Sequence, residues 1–399
     1  MVAVGLALVV LVLRRPDGVL HAGFWAEDGP IFLRAAYTKP ALRSLVTPYN
    51  GYSHFLLRVW ALCSTLLPAS AVAVSFSIGN LLATAGAYSL VLSRRLRWLI
   101  PSDEVRTLLF VALVVLPGVG EVTDTLTNAL WPIAIGFLIL ALSDVPATTW
   151  GRRAEIVGLA LAGLTGPASL LVGPAFLLRW WRNRARHNVI VLATVLGCAL
   201  VQGLILVTSH RSRGTGHLSI TTTARALVLR IWGTLTVGEN ALTKSIAKPV
   251  STGLLVGCVV AIASTALAVW LLPAVARLQW VAIFGVTCAA TVWSFNGDMH
   301  GTAYATNAGR YFVIPCVLVV AALIAALTTA VRSSRWVFVL ALVPFALLVV
   351  NAMRADFSLP RLPPTHWARS AACIRAHRTC LVEANPPAFS FELPPVHAR

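Results

Sequence analysis

Charge is scarce in this chain, and acid is scarcest: 399 residues carry 14 Asp and Glu against 32 Lys and Arg, charged residues make up only 12%, and 58% of the chain is hydrophobic. Soluble domains carry about a quarter charged residues, so a water-soluble protein of this length is excluded. Strict apolar/polar alternation is also missing, which excludes a membrane β-barrel. No G-x-S-x-G pattern and no evident Ser/His/Asp set stands out, which disfavours a hydrolase working through a nucleophile. Internal repeats and low-complexity tracts are absent. Lysine occurs only as Lys39, Lys244 and Lys248, so the net charge of +18 is an arginine charge.

That excess does not mark a nucleic-acid protein. The arginines sit in short clusters between apolar runs, "SRRLRW" and "RWWRNRARH" above all, and no aromatic-studded basic face emerges. Clusters of this kind mark cytoplasmic loops and meet anionic headgroups. The cysteines divide in two. Cys63, Cys198, Cys258, Cys288 and Cys316 lie in apolar runs, where a thiol packs as a small hydrophobe. Cys373 and Cys380 lie seven apart in a polar tail, with no His at zinc-site spacing. If that tail faces an oxidising compartment, a disulfide is the simpler reading.

What is present is a series of apolar runs near the length a helix needs to span hydrocarbon. Residues 1–13 are read as a first helix with its N-terminus inside, followed by a large outer loop, 14–69. In that loop Phe55, Leu56, Val59, Leu62, Cys63 and Leu66 recur at helical spacing with Arg58 on another face, the pattern of a helix lying in the interface. Further spans are expected at 71–92, 105–117, 132–143, 188–209, 250–272, 280–295, 311–331 and 336–351. Between "WGRRAE" and "RWWRNRAR" an apolar stretch broken by two Gly-Pro pairs has arginine on both flanks, which predicts a re-entrant hairpin. This parity sets Arg94, Arg182 and Arg335 inside, and Asp28 and the tail outside. The 210–249 loop, also outside, breaks the rule with Arg211, Arg213, Arg225, Arg230, Lys244 and Lys248. The expected fold is an all-α polytopic membrane bundle, residues 1–351, of about ten transmembrane helices plus the hairpin, with a small tail, 352–399.

The few acids then gather mainly outside: Glu27 and Asp28, Glu121 and Asp124, Glu239, and Asp298. Ionisable groups among spans need a partner or a wet cavity, so an outward cavity is the natural place for a site. In "FWAEDGP", Asp28 suits a helix N-cap, but a cap needs only one acceptor, and Glu27 is left over. Tyr49, Tyr52 and His54 in "TPYNGYSH" suit either an interfacial belt or a binding wall. Glu121, Asp124 and Asn128 fall at spacings of three and four on one helix face, with Trp131 at its interfacial end. In "NAGRYFVIP", Arg310 beside Tyr311 is either a snorkelling anchor or a clamp for phosphate.

An acidic pair after one helix, a "GY" segment with an interfacial helix, an outer "TN..W" and a late "GRYF..P" together resemble the GT-C superfamily of membrane glycosyltransferases, in its bacterial polytopic branch. The resemblance covers about residues 20–330. It implies a multi-pass protein of the bacterial plasma membrane that moves a sugar from a polyprenyl-phosphate donor to a glycan or lipid acceptor of the cell envelope, with inversion. It further implies that Asp28 is the base with Glu27 as its neighbour, that Arg310 meets the phosphate, and that a divalent cation (Mg2+, Mn2+ or Ca2+) is a possible cofactor. A transporter or flippase would place its ionisable residues at the midplane, and a non-catalytic envelope-assembly protein would need no acid pair.

Overall fold

A computed structural model describes residues 2–209, 218–246, 249–295, 298–304, 308–361 and 363–395. Six helices in it are long and apolar enough to cross a membrane: Ala69–Leu92, Arg186–Thr208, Thr252–Leu271, Ala274–Ser294, Gly309–Arg332 and Trp336–Ala355. The chain is an all-α polytopic membrane protein. Arg211, Arg213 and Lys248 lie outside the described residues, as do residues 296–297 and 305–307 of the "NGDMHGTAYATNAGR" stretch.

In chain order the principal helices, those of nine residues or more, are α1 (Val2–Arg14), α2 (Phe55–Ser64), α3 (Ala69–Ser89), α4 (Asp103–Val114), α5 (Leu130–Leu142), α6 (Thr149–Gly163), α7 (Ala168–Arg182), α8 (Arg186–Thr208), α9 (Thr252–Leu271), α10 (Ala274–Ser294), α11 (Val313–Arg332), α12 (Trp336–Ala355) and α13 (Trp367–Arg375). The runs read as spans at 1–13, 105–117 and 132–143 fall on α1, α4 and α5, which have 13, 12 and 13 residues. Helices this short rise about 18 to 20 Å against a hydrocarbon layer of about 30 Å. Local chemistry sets several starts: the hydroxyls of Ser102, Thr148 and Ser251 accept from the N–H groups of Val105, Gly151 and Leu254 at 3.3, 3.0 and 3.3 Å. Pro68 and Pro273, which have no N–H to leave unpaired, precede α3 and α10.

Burial separates inner helices from lipid-facing ones. The apolar window of the Gly309–Arg332 helix is 72% buried in protein and that of α8 only 22%, so α11 runs through the middle and α8 lies at the periphery. Trp280 of α10 donates its indole N–H to the Leu318 carbonyl of α11 at 2.8 Å and stacks on Phe284. One end of the bundle is rich in arginine. There Glu155 of α6, its side chain 1% exposed, is surrounded by Arg95, by Arg179 at 3.0 Å and by His187 at 2.7 Å, and only such enclosure makes a buried carboxylate tolerable.

The opposite end carries a cap made from both ends of the sequence. Strand β1 (Phe24–Trp25) pairs in parallel with β3 (Ala384–Asn385), while β2 (Cys380–Val382) pairs antiparallel with β4 (Phe391–Leu393). Phe24 is buried edge-on against Phe76 of α3 and Trp367 of α13, with ring centroids 5.1 and 4.9 Å apart. Residues 367–393 of the tail thus share a core with the first loop, which includes Phe32, Leu57, Ala61, Trp367, Ile374 and Phe391. Cys373 and Cys380 are joined by a disulfide, their Cα atoms 5.8 Å apart.

Candidate functional site

Beneath this cap lies a cavity of about 520 Å³, within the usual range for small-molecule sites. Its walls come from the first loop (Glu27, Tyr49, Asn50, Tyr52 and His54), from the turn leading into α5 (Thr127 and Asn128) and the start of α5 (Trp131), from the second half of α10, and from Arg310 and Tyr311. Tyr311 meets Trp131 and Phe295 edge to face, each with centroids 5.1 Å apart, and Trp131 and Tyr311 give the cavity one aromatic side.

The segment between α4 and α5 has little regular structure, so side chains from elsewhere satisfy its backbone. Arg14 donates to the carbonyls of Val114 (2.8 Å) and Leu116 (2.9 Å), Arg15 to Thr123 (2.9 Å), and the buried Asn80 to Val122 and Thr125 (2.9 and 2.7 Å). Asp28 completes the set. Its carboxylate accepts from the N–H groups of Leu126 (3.0 Å) and Thr127 (2.6 Å) and from the Thr127 hydroxyl (2.5 Å). It makes no capping bond to the turn that follows it in the chain; it caps the short Thr127–Ala129 turn instead. Burial pushes Asp28 up to about 7 while these bonds draw it down. Only 1% exposed, it is not among the residues lining the cavity.

Glu27 is the acid that faces the cavity. The Tyr49 hydroxyl donates to its Oε1 at 3.2 Å, and burial, followed by the Glu27 charge, pushes that phenol up, so it stays a donor. Ala26, just before it, holds φ at +40°, a conformation unusual for a residue with a Cβ, so the chain turns sharply between the buried Phe24 and the cavity. His54 is pushed down to about 4 by burial and is therefore neutral; with Nδ1 3.2 Å from the Tyr52 carbonyl, Nδ1 carries the proton and Nε2 is an acceptor.

Across the cavity, Glu121 places Arg310. Its carboxylate accepts the N–H groups of Ala308 and Arg310, each at 3.1 Å, and lies 3.9 Å from the Arg310 guanidinium. The turn needs φ of +69° at Ala308 and no side chain at residue 309, where a Cβ would stand 2.8 Å from Glu239. Arg310 keeps a third of its side chain exposed, so it is placed without being used up.

Of the residues singled out in the sequence, Glu27, Tyr49, Tyr52, His54, Asn128, Trp131, Arg310 and Tyr311 line this one cavity. Asp28, Arg58, Glu121 and Asp124 do not. Arg58 is buried behind the wall, 5.1 Å from the centre of the Phe32 ring. Asp124, at φ +63° and with neither carboxylate oxygen hydrogen-bonded, packs against Gly18, and burial pushes it up to about 7. The sequence reading missed Thr287, Thr291 and Ser294, which recur at spacings of four and three along α10 and give an apolar span one polar stripe into the cavity. That periodicity was the available signal. Among the described residues no three of His, Cys, Asp and Glu are grouped to hold a metal ion, and Glu27 is the one acid among the lining residues. Compared with protein-family models, curated proteins and solved structures, the chain matches none.

Proposed function

We propose that the chain is a membrane glycosyltransferase of GT-C type, transferring a sugar from a polyprenyl-phosphate donor to a glycan or lipid acceptor on the outer side of a bacterial plasma membrane. The observation that carries this reading is the pairing, in one cavity at the end of a membrane bundle, of a carboxylate held by a tyrosine with a partly exposed guanidinium held by a separate acid. In the proposed step Glu27 takes the proton of the acceptor hydroxyl as its oxygen attacks the anomeric carbon. The bond from that carbon to the phosphate oxygen breaks, and the phosphate leaves with the electron pair, its charge met by Arg310. A guanidinium suits this task because its donors match two phosphate oxygens. Inversion follows from a single displacement.

The roles expected of the two acids are here exchanged: Glu27 is proposed as the base, and Asp28 as the anchor that fixes Thr127 and Asn128. In this scheme the cap faces outward and the Glu155 end faces the cytoplasm. The proposed re-entrant hairpin would comprise α6 and α7, of 15 residues each, about 22 Å long and so short of the bilayer's hydrocarbon thickness. Trp150 at the start of one and Trp181 at the end of the other are both exposed, and Arg153 and Arg184 lie over them at 5.5 and 5.2 Å, as expected if both termini sit at the same interface.

The test is transfer from a radiolabelled polyprenyl-phosphate sugar by the protein in nanodiscs. Replacing Glu27 by Gln keeps the Tyr49 contact but removes the proton acceptor, and turnover is expected to fall by about 10²- to 10⁴-fold with the unfolding temperature unchanged. Undiminished turnover in that variant would defeat the mechanism.

A further inference from the structure

A second cavity, of about 110 Å³, lies one helical turn from the first along the same three helices. Where the first is lined by Trp131, Thr287 and Ile314, the second is lined by Ile135, Ile283 and Val317, each a turn further from the cap. The two differ in chemistry. Except for one residue, every side chain lining the second is aliphatic or tryptophan, and none is charged. It exists because Ala276 of α10 and Ala321, Ala322 and Ala325 of α11 leave space where larger residues would meet, and it is partly open beside Leu99, Trp280 and Ala325.

The exception is Gln279. It is 2% exposed, lines this cavity, and its side-chain carbonyl oxygen has no hydrogen-bond partner. Buried amide oxygens are ordinarily paired because desolvating one without a donor is costly. Leu or Met would fill the same volume without that cost. The neighbouring Trp280 does not supply the donor, since its indole N–H is given to Leu318. Gln279 is the sixth residue of α10, about 8 Å along the helix from its start.

We propose that this cavity seats the hydrocarbon chain of a neutral, hydroxyl-headed lipid whose O–H donates to the Gln279 carbonyl. Phosphate-headed and carboxylate-headed lipids are not its ligands, because no cation lines the cavity to meet their charge. The inference does not depend on glycosyl transfer at the outer cavity.

The probe is a long-chain alcohol with a diazirine on the chain close to the hydroxyl, photolysed with the protein in phosphatidylcholine nanodiscs and mapped by mass spectrometry. Labelling is expected on Gln279–Ile283 or Val317–Ala325, displaced about tenfold better by hexadecanol than by its methyl ether, which keeps the chain but has no O–H to donate, the worth of one hydrogen bond. Gln279→Leu, which suits the apolar walls, should keep the labelling and erase that preference. Ala322→Phe should fill the space and abolish labelling while the unfolding temperature shows that the bundle is intact. The proposal is overturned if labels spread over lipid-facing positions such as Leu255 and Val259 without competition, if alcohol and methyl ether compete equally, if Gln279→Leu retains the preference, or if Ala322→Phe still labels.

Discussion

At the scale of single residues, the adjacent acids Glu27 and Asp28 do different work because one lines a cavity and the other meets three donors. Asp28→Asn keeps a carbonyl oxygen for the Thr127 and Leu126 donors, so it should fold and lose less than tenfold in turnover, far less than Glu27→Gln; the same transfer assay checks both. Asp28→Ala strands those donors, at about 1 to 3 kcal/mol for each buried group, and should lower yield and unfolding temperature sharply. Titration adds a signature. An Asp raised in the folded state favours folding below its ordinary range and loses that contribution as pH rises toward about 7. Wild-type unfolding temperature, measured in detergent from pH 4 to pH 8, should therefore fall more steeply with pH than that of Asp28→Asn. Nothing local announces this division of labour. The donors that engage Asp28 stand 98 and 99 residues away, beyond the reach of any periodicity.

At the scale of elements, hydropathy reads well wherever a run is long. The spans expected at 71–92, 188–209, 250–272, 280–295, 311–331 and 336–351 fall on the six helices able to cross a membrane, because about 20 apolar residues have few other uses. Shorter runs are ambiguous for the same reason: α5 is almost wholly buried among other helices, and a core helix and a span look alike at 13 residues. The cavity residues Tyr49, Asn128 and Arg310 were visible because polar and aromatic residues are conspicuous beside apolar runs, whereas the α10 threonines were hidden inside one. Thr291→Leu should narrow the cavity and raise the apparent KM for the acceptor several-fold at little cost to stability. For the hairpin, Trp150→Cys and Trp181→Cys, each on a background lacking the five free cysteines, should react with an impermeant thiol reagent from the same face of the membrane. Reaction from opposite faces would turn α6 and α7 into a pair without a re-entrant path.

At the scale of the whole molecule, the cap unites the first loop with the last residues, and its stability should be felt at the site. Replacing Cys373 and Cys380 by Ser removes a short cross-link, worth about 2 to 4 kcal/mol, and should make the segment around α13 exchange amide hydrogens faster while the core of α11 stays protected. Gly29→Ala is a sharper probe. A Cβ there would lie 2.5 Å from the ring of Phe391, forcing the tail off the loop, and turnover should drop with it.

The parallel pairing of β1 with β3 also puts a clock into the making of the protein. Residue 24 leaves the ribosome about 360 residues before its partner at 384, roughly 20 to 70 s earlier at ordinary synthesis rates. Throughout that interval Phe24 has neither Trp367 nor the β3 edge to rest on, and the sharp turn that aims Glu27 is unsupported on one side. The cavity is therefore finished only when the last segment arrives, and a nascent or truncated chain sits in the membrane with the proposed base unaimed.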